Sequence, residues 1–314
     1  MIKVFFQKEG FSGGPKTFRD RLRPAMKYLP NISLTDDPNS KFDVELAFIR
    51  RRCDHDNPIV LRLDGCYYRK KDLSHNESSK QAIKQAKHVI FQSNFSSKMC
   101  RSIMNIEPKR WSVIYNGIDY KYINSIEPDT HHVPPGSFIA CSVWKRRPNK
   151  RPLSIIKGFL EADVDRHLFI IGKVHSEWIR KYQDRRIHFW EEREPDSVIA
   201  VMKACDYQIH LCHIDSCPNA VVEGLACGLN VLCTNLGGTP EIVGNDGIVM
   251  ETDSWDFTPM PITTFDGLDT LSSKDVAEGI HKLIKIRERS VRPDLDIKTV
   301  AQQYAKILEG TVDG

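Results

Sequence analysis

Short apolar runs alternate along this chain with longer segments whose apolar residues recur every three or four positions. In the first half the runs fall at residues 2–6, 44–48, 59–63, 89–92 and 113–115. Runs such as Ile-Val-Leu-Arg-Leu, without strict polar alternation, predict short strands covered on both faces. Between them, residues 15–28 and 77–87 have helical spacing, and the βαβα order predicts parallel sheets. Across 119–137 the periodicity stops, and residues 127–136, rich in Pro, Asp and His with a closing Gly, have the composition of a linker. The pattern restarts with runs at 138–143, 167–172, 187–190, 207–212, 230–234 and 247–250. Residues 251–272 form an aperiodic excursion rich in Asp, Thr and Pro, after which 274–289 and 296–309 return to helical spacing. The expected fold class is α/β: two doubly wound, Rossmann-like parallel-sheet domains facing across a cleft. The expected division is 1–135, 136–290, and a C-terminal helix in 291–314 packing back on the first domain. Ligands of open parallel sheets sit beyond the carboxyl ends of the strands, which makes that cleft the expected site.

The 314 residues include 40% hydrophobic and 27% charged positions, which suits a globular chain and excludes a disordered or collagen-like one. No apolar run approaches the ~18 residues of a membrane span, and the N-terminus lacks the long apolar stretch of a signal peptide. Nine cysteines, an odd number, do not read as a disulfide framework and suit a reducing compartment. A cytoplasmic protein is expected. Residues 1–135 hold 23 Lys and Arg against 15 Asp and Glu, whereas the remainder is net acidic. The basic first half suits an anionic partner or a peripheral membrane surface, or is an ordinary solvated face.

Candidate chemistry concentrates between Asp215 and Glu241. Physically this stretch reads as strand, acidic loop, helix, strand and glycine turn. Pro218 suits the first turn of a helix and Gly228 a left-handed close to it. Amides near Pro218, Asn219 and Ala220 then form the positive end of that helix, a favourable seat for a diphosphate. Asp215 and Glu223 flank the seat and are suited to hold hydroxyls.

At these residues the sequence resembles the GT-B glycosyltransferases, specifically the retaining family four, also called group one. That family carries two glutamates separated by seven residues, then a small-residue helix, a strand and a Gly-Gly-x-Pro-Glu turn. Glu223 matches the second glutamate and Gly237, Gly238, Pro240 and Glu241 the turn. Asp215 stands at the first glutamate's place, one methylene shorter. The resemblance implies that Glu223 binds the ribose hydroxyls of a nucleotide-diphosphate sugar, Asp215 the sugar hydroxyls, and the 218–220 amides the diphosphate.

Upstream, residues 142–151 run Ser-Val-Trp-Lys-Arg-Arg-Pro-Asn-Lys-Arg after a strand and before a helix over 152–161. They resemble the family's loop in which an arginine and a lysine neutralise the donor phosphates. Lys150 matches the lysine, and Lys145, Arg146 and Arg147 all offer the arginine, Arg146 being favoured. In the first domain Gly13 and Gly14 resemble the family's glycine loop, residues 60–65, ending in Asp64 and Gly65, its cleft-lining segment, and residues 116–119 its Asn-Gly-Val-Asp turn. Asp64 is a catalytic candidate there, with a structural capping role as the alternative. The resemblance spans nearly the whole chain and implies transfer of a hexose-like sugar to a glycan or lipid acceptor with retention of configuration. No cofactor and no nucleic-acid partner are expected, and no metal, since Lys150 and an arginine beside a helix N-terminus offset the diphosphate charge and no Asp-x-Asp stands at a strand's carboxyl end.

Two readings of other classes compete. Residues 10–17 have P-loop spacing, with Lys16 and Thr17 at the phosphate-binding positions, and residues 61–64 imitate a Walker-B strand; Pro15, however, replaces the second glycine and supplies no amide. The third reading is an inactive nucleotide-sugar-binding module in which Asp215 marks decay. His210, Cys212, His213, Cys205 and Cys217 crowd together without the spacing of a zinc site. Trp190 and Glu191, just after a strand, are candidates for the nucleotide base, or Trp190 is a core residue.

Overall fold

The chain divides by its contacts into one unit of Met1–Asp119, Trp255–Thr263 and Pro293–Gly314, and another of Tyr120–Ser254 and Thr264–Arg292. The computed structural model describes residues 1–7, 13–51, 53–142, 148–252, 254–261, 271–286, 288 and 292–313. The sequence-expected linker, 127–136, lies inside the second unit.

In the first unit six strands, β1 (Ile2–Phe6), β2 (Ile32–Thr35), β3 (Val44–Phe48), β4 (Ile59–Leu63), β5 (His88–Phe91) and β6 (Trp111–Val113), stand in the order β2-β1-β3-β4-β5-β6. Every neighbouring pair is parallel. β3 and β4 are buried along their whole length, as their unbroken apolar runs predict. β2 is not anticipated by the pattern: it is an edge strand of four residues, mostly half-buried, and carries little apolar signal. β6 lies two residues earlier than the apolar run suggests.

Two distant segments complete this unit. The helix Ile297–Val312 buries Ile297, Val300, Tyr304 and Leu308 in one cluster with Phe18 and Leu22 of the helix Gly14–Lys27. Its entry is close: a methyl on Gly117 would lie 2.9 Å from Val300 Cγ2 and 3.0 Å from Ile297 Cα. Ile118 N donates to Leu295 O at 2.9 Å and Ile297 N to Ile118 O at 2.9 Å. This explains the glycine at 117 without reference to a ligand. The excursion also returns here, its Trp255 and Phe257 rings stacking among Tyr68 and Phe95.

The second unit has β7 (Phe138–Cys141), β8 (Leu168–Ile171), β9 (Ile187–Trp190), β10 (Tyr207–His210), β11 (Asn230–Thr234) and β12 (Gly247–Met250), in the order β12-β11-β10-β7-β8-β9 and again all parallel. Phe138, Phe159, Ile170, Ile209, Leu232 and Ile280 share its core. The chain runs outward from β7 to β9, then returns to the other side of β7 with β10. That reversal opens a crevice at the carboxyl ends of β7 and β10, the place where a doubly wound sheet binds ligands. The α/β class with two doubly wound parallel sheets is as the pattern predicts.

Candidate functional site

The two loops that leave β7 and β10 are tied together by three successive residues. Asn149, buried, accepts His213 N at its carbonyl (2.8 Å) and points Nδ2 at Cys212 Sγ, 3.6 Å away. Lys150 Nζ forms an ion pair with Asp215 Oδ2. Arg151 is buried, and its Nη2 donates to His213 Nδ1 at 3.2 Å. Arg151 holds the left-handed conformation with φ 53°, a strained state for a side-chain-bearing residue that its contacts on both loops sustain. It precedes Pro152, which opens the helix Pro152–Ala162.

Asp215 is also anchored from the other side. Gly238 N donates to Asp215 O at 2.7 Å. Gly237, at φ +128°, adopts a conformation open to glycine, and a methyl on it would stand 2.9 Å from the Asp215 carbonyl oxygen. Gly237 of the 237–241 turn is therefore required by its approach to the acidic loop.

Pro218 caps the helix Asn219–Ala226 at its N-terminus. Val221 N and Val222 N both turn back to Pro218 O, so the amides of Asn219 and Ala220 head the helix. Glu223 lies one turn inside and is half-buried. Cys141 is the last residue of β7, and its thiol lies in the field of both the Glu223 and the Lys150 charge. Burial pushes its thiol up to about 12, the Glu223 carboxylate adds to the rise and the Lys150 ammonium opposes it. Lys150, Glu223 and the end of β7 are thus electrostatic neighbours. A cation, two carboxylates and a helix N-terminus converge where the strand order reverses. Such a set can offset phosphate charge and hold hydroxyl groups.

Residues 150–258 match the family of glycosyl transferases, group 1. The resemblance read from the sequence holds there, and the GT-B glycosyltransferases share the fold of the whole chain. HepE of Anabaena, crystallised with UDP, is 17% identical with a TM-score of 0.64, covering 99% of this chain and 100% of that one. Sucrose-phosphate synthase of Thermosynechococcus elongatus is 11% identical with a TM-score of 0.63, at 98% coverage of both chains. WaaG, a glycosyltransferase of lipopolysaccharide biosynthesis, is 15% identical with a TM-score of 0.56, covering 99% and 100%. No curated protein sequence matches.

Within residues 150–258 the structure brings together Lys150, Asp215, Pro218, Asn219, Ala220 and Glu223. Arg146 lies outside the described residues. Asp64, in the first unit, is held by Arg62 Nη1 and Gln92 Nε2, and Arg62 Nη2 reaches Asn116 Oδ1 at 2.6 Å. Arg62 is fully buried with its guanidinium 4.1 Å above the Phe18 ring. Burial raises the Asp64 carboxyl against the pull of Arg62. Gly13, at φ +63°, caps the helix that begins with Gly14, and a side chain on Gly13 would meet nothing within 4 Å.

The P-loop alternative is not favoured. Lys16 is well exposed and pairs with Asp20 at 2.7 Å along its own helix, and Thr17 Oγ1 donates to Gly13 O at 3.2 Å. His210, Cys212 and Asp215 bring possible ligand atoms within 4.8 Å of one another. The arrangement argues for other duties, since Lys150 occupies the carboxylate, and burial pushes the Cys212 thiol up to about 11 while its Sγ donates to Ile214 O at 3.2 Å. Trp190 packs edge-on against Phe169, ring centroids 5.1 Å apart, with Arg193 over its face.

Two members of the site escape sequence reasoning. Asn149, next to the conspicuous Lys150, passes as loop filler until its hold on His213 is seen. His210 reads as a core residue of a buried strand, although a histidine amid apolar neighbours is itself a signal. Among the described residues, no helix is long and apolar enough to cross a membrane.

Proposed function

We propose that the chain transfers a hexose-like sugar from a nucleoside diphosphate sugar to a glycan or lipid acceptor, with retention at the anomeric carbon and without a divalent metal. The observation that carries this reading is the juxtaposition of Lys150 and Asp215 beside the N-terminus of the helix Asn219–Ala226. Lys150, with Arg146, takes the diphosphate; the Asn219 and Ala220 amides share the developing charge as the phosphate leaves. Glu223 accepts from the ribose hydroxyls and Asp215 from those of the sugar. Little covalent chemistry is asked of the protein, because departure of a stabilised diphosphate and exclusion of water suffice to favour transfer. The acceptor is assigned to the basic first unit, with Gly13, Gly14 and Asp64 as its candidate residues. Relatives support the donor class: HepE was crystallised with UDP-glucose, and the pneumococcal O-GlcNAc transferase GtfA with UDP and GlcNAc.

The test is turnover of a panel of nucleoside diphosphate sugars in excess chelator, with the product anomer read from NMR coupling constants. Activity restored only by magnesium or manganese overturns the metal part, an inverted product the stereochemical part, and absence of turnover with intact binding leaves the inactive-module reading.

A further inference from the structure

The Lys150–Asp215 pair poses a difficulty for any ligand that draws on both residues. If Lys150 turns to a phosphate, Asp215 loses that contact, while its main chain stays tied. Gly238 N holds its carbonyl, and the tight approach of Gly237 closes the space behind it.

His210 is in place. It is the last residue of β10, in register with Cys233 of β11, so its backbone is fixed by the sheet. Its side chain is 6% exposed, and its Nε2 is a buried nitrogen without a hydrogen-bond partner among the described residues. That nitrogen stands 3.9 Å from Asp215 Oδ2, on the oxygen that Lys150 also contacts. A buried polar atom without a partner is costly, and this one stands 3.9 Å from an anion, about 0.7 Å beyond hydrogen-bond range.

We propose that His210 is a positioning residue, a further partner of Asp215, whose Nε2–H takes the carboxylate whenever Lys150 is drawn away from it. The proposal rests on the donor-site reading above for what draws Lys150 away. Its own geometry is independent of the donor. The imidazole has the charge state such a partner needs, because burial, with the Lys150 ammonium adding to it, pushes its pKa down to about 3, while Asp215 works the other way. A neutral N–H donor fixes the orientation of Asp215 yet leaves it ionised, with its other oxygen available to a hydroxyl. The shorter aspartate then keeps the reach of one oxygen while the histidine holds the other.

The experiment reads the imidazole itself in the full chain, by 15N-resolved NMR titration of wild type, Lys150→Met and Lys150→Met/Asp215→Asn, with His210→Gln assigning the signals. Expected in Lys150→Met are the Nε2–H tautomer, a downfield, slowly exchanging Nε2 proton, and a rise of the pKa by about one unit or more, a tenfold gain in proton affinity. In the double variant the downfield proton is lost and the pKa falls back below that of Lys150→Met. Equal pKa and proton shift in the two variants, or a lone pair on Nε2 in Lys150→Met, overturns the proposal. Should Lys150→Met not fold, Lys150→Gln takes its place in both variants. Adding UDP to the wild type separates the two readings. A downfield proton with UDP supports both; its appearance in Lys150→Met but not with UDP supports the His210–Asp215 contact and counts against the nucleotide reading alone.

Discussion

The Lys150 ammonium, from the loop after β7, rests on the Asp215 carboxylate, from the loop after β10. An anionic ligand that draws on Lys150 therefore competes with Asp215 for it. Removing the competitor and removing the cation must then have opposite effects on diphosphate affinity.

Asp215→Asn is accordingly expected to tighten UDP binding by about 3- to 10-fold, on the order of 0.7–1.4 kcal/mol, while lowering sugar transfer. Lys150→Ala loses a charge-assisted contact worth about 1.5–3 kcal/mol and lowers kcat/KM roughly 10- to 150-fold. Calorimetry with UDP decides the first; equal weakening in both variants removes the competition between Asp215 and phosphate.

Gly224 illustrates a packing constraint inside the motif helix. Gln208 on β10 donates Nε2 to Ala220 O at 2.9 Å, and a methyl on Gly224 would overlap Gln208 Oε1. Alanine in a helix interior gains about 1 kcal/mol over glycine, yet overpacking costs about 1–3 kcal/mol, and the overlap decides the sign. Gly224→Ala is expected to lower the urea midpoint and Gly224→Ala/Gln208→Ala to recover it. A stabilising single variant contradicts the overlap.

His210 sets part of the acid stability. Its imidazole titrates near 6.5 when unfolded and at about 3 in the folded chain, so between these values the unfolded state binds the extra proton. Stability is fully present above about pH 6.5 and falls as the pH drops towards 3, with a slope of up to about 1.4 kcal/mol per pH unit from this one group. Denaturant titrations at stepped pH should show that slope diminished in His210→Gln, and an unchanged slope would mean that the histidine is already charged in the fold.

Arg62 is the centre of a buried polar network that includes Asp64, Asn116 and the Phe18 ring. Arg62→Met strands a buried acid and is expected to cost about 3–5 kcal/mol. Arg62→Met/Asp64→Asn should recover much of that loss, because the stranded charge is gone. If the double variant is no more stable than the single, the carboxylate is not what the guanidinium compensates.

How far the sequence foretells this molecule depends on what each residue's signal is made of. β3 and β4 are legible because burial on both faces writes an unbroken apolar run, whereas the half-buried edge strand β2 writes almost none. The Asp215 to Glu241 stretch is legible because cap, helix and glycine turn each demand particular residue types. Trp255 and Phe257 are not: a pair of rings in an aperiodic segment carries no period to say that Tyr68 and Phe95 receive them. His210 is hidden for the opposite reason, since its place in a strand masks the one atom that faces Asp215.

The closing of the first unit by Ile297–Val312 has a consequence for synthesis on the ribosome. Domains usually complete in the order in which they emerge. Here every segment of the second unit has been translated by Arg292, while Phe18, Leu22 and Met26 still lack the helix that covers them. The part of the protein made first is the part finished last, and its apolar face depends on protection during the interval in which the rest of the chain is being made.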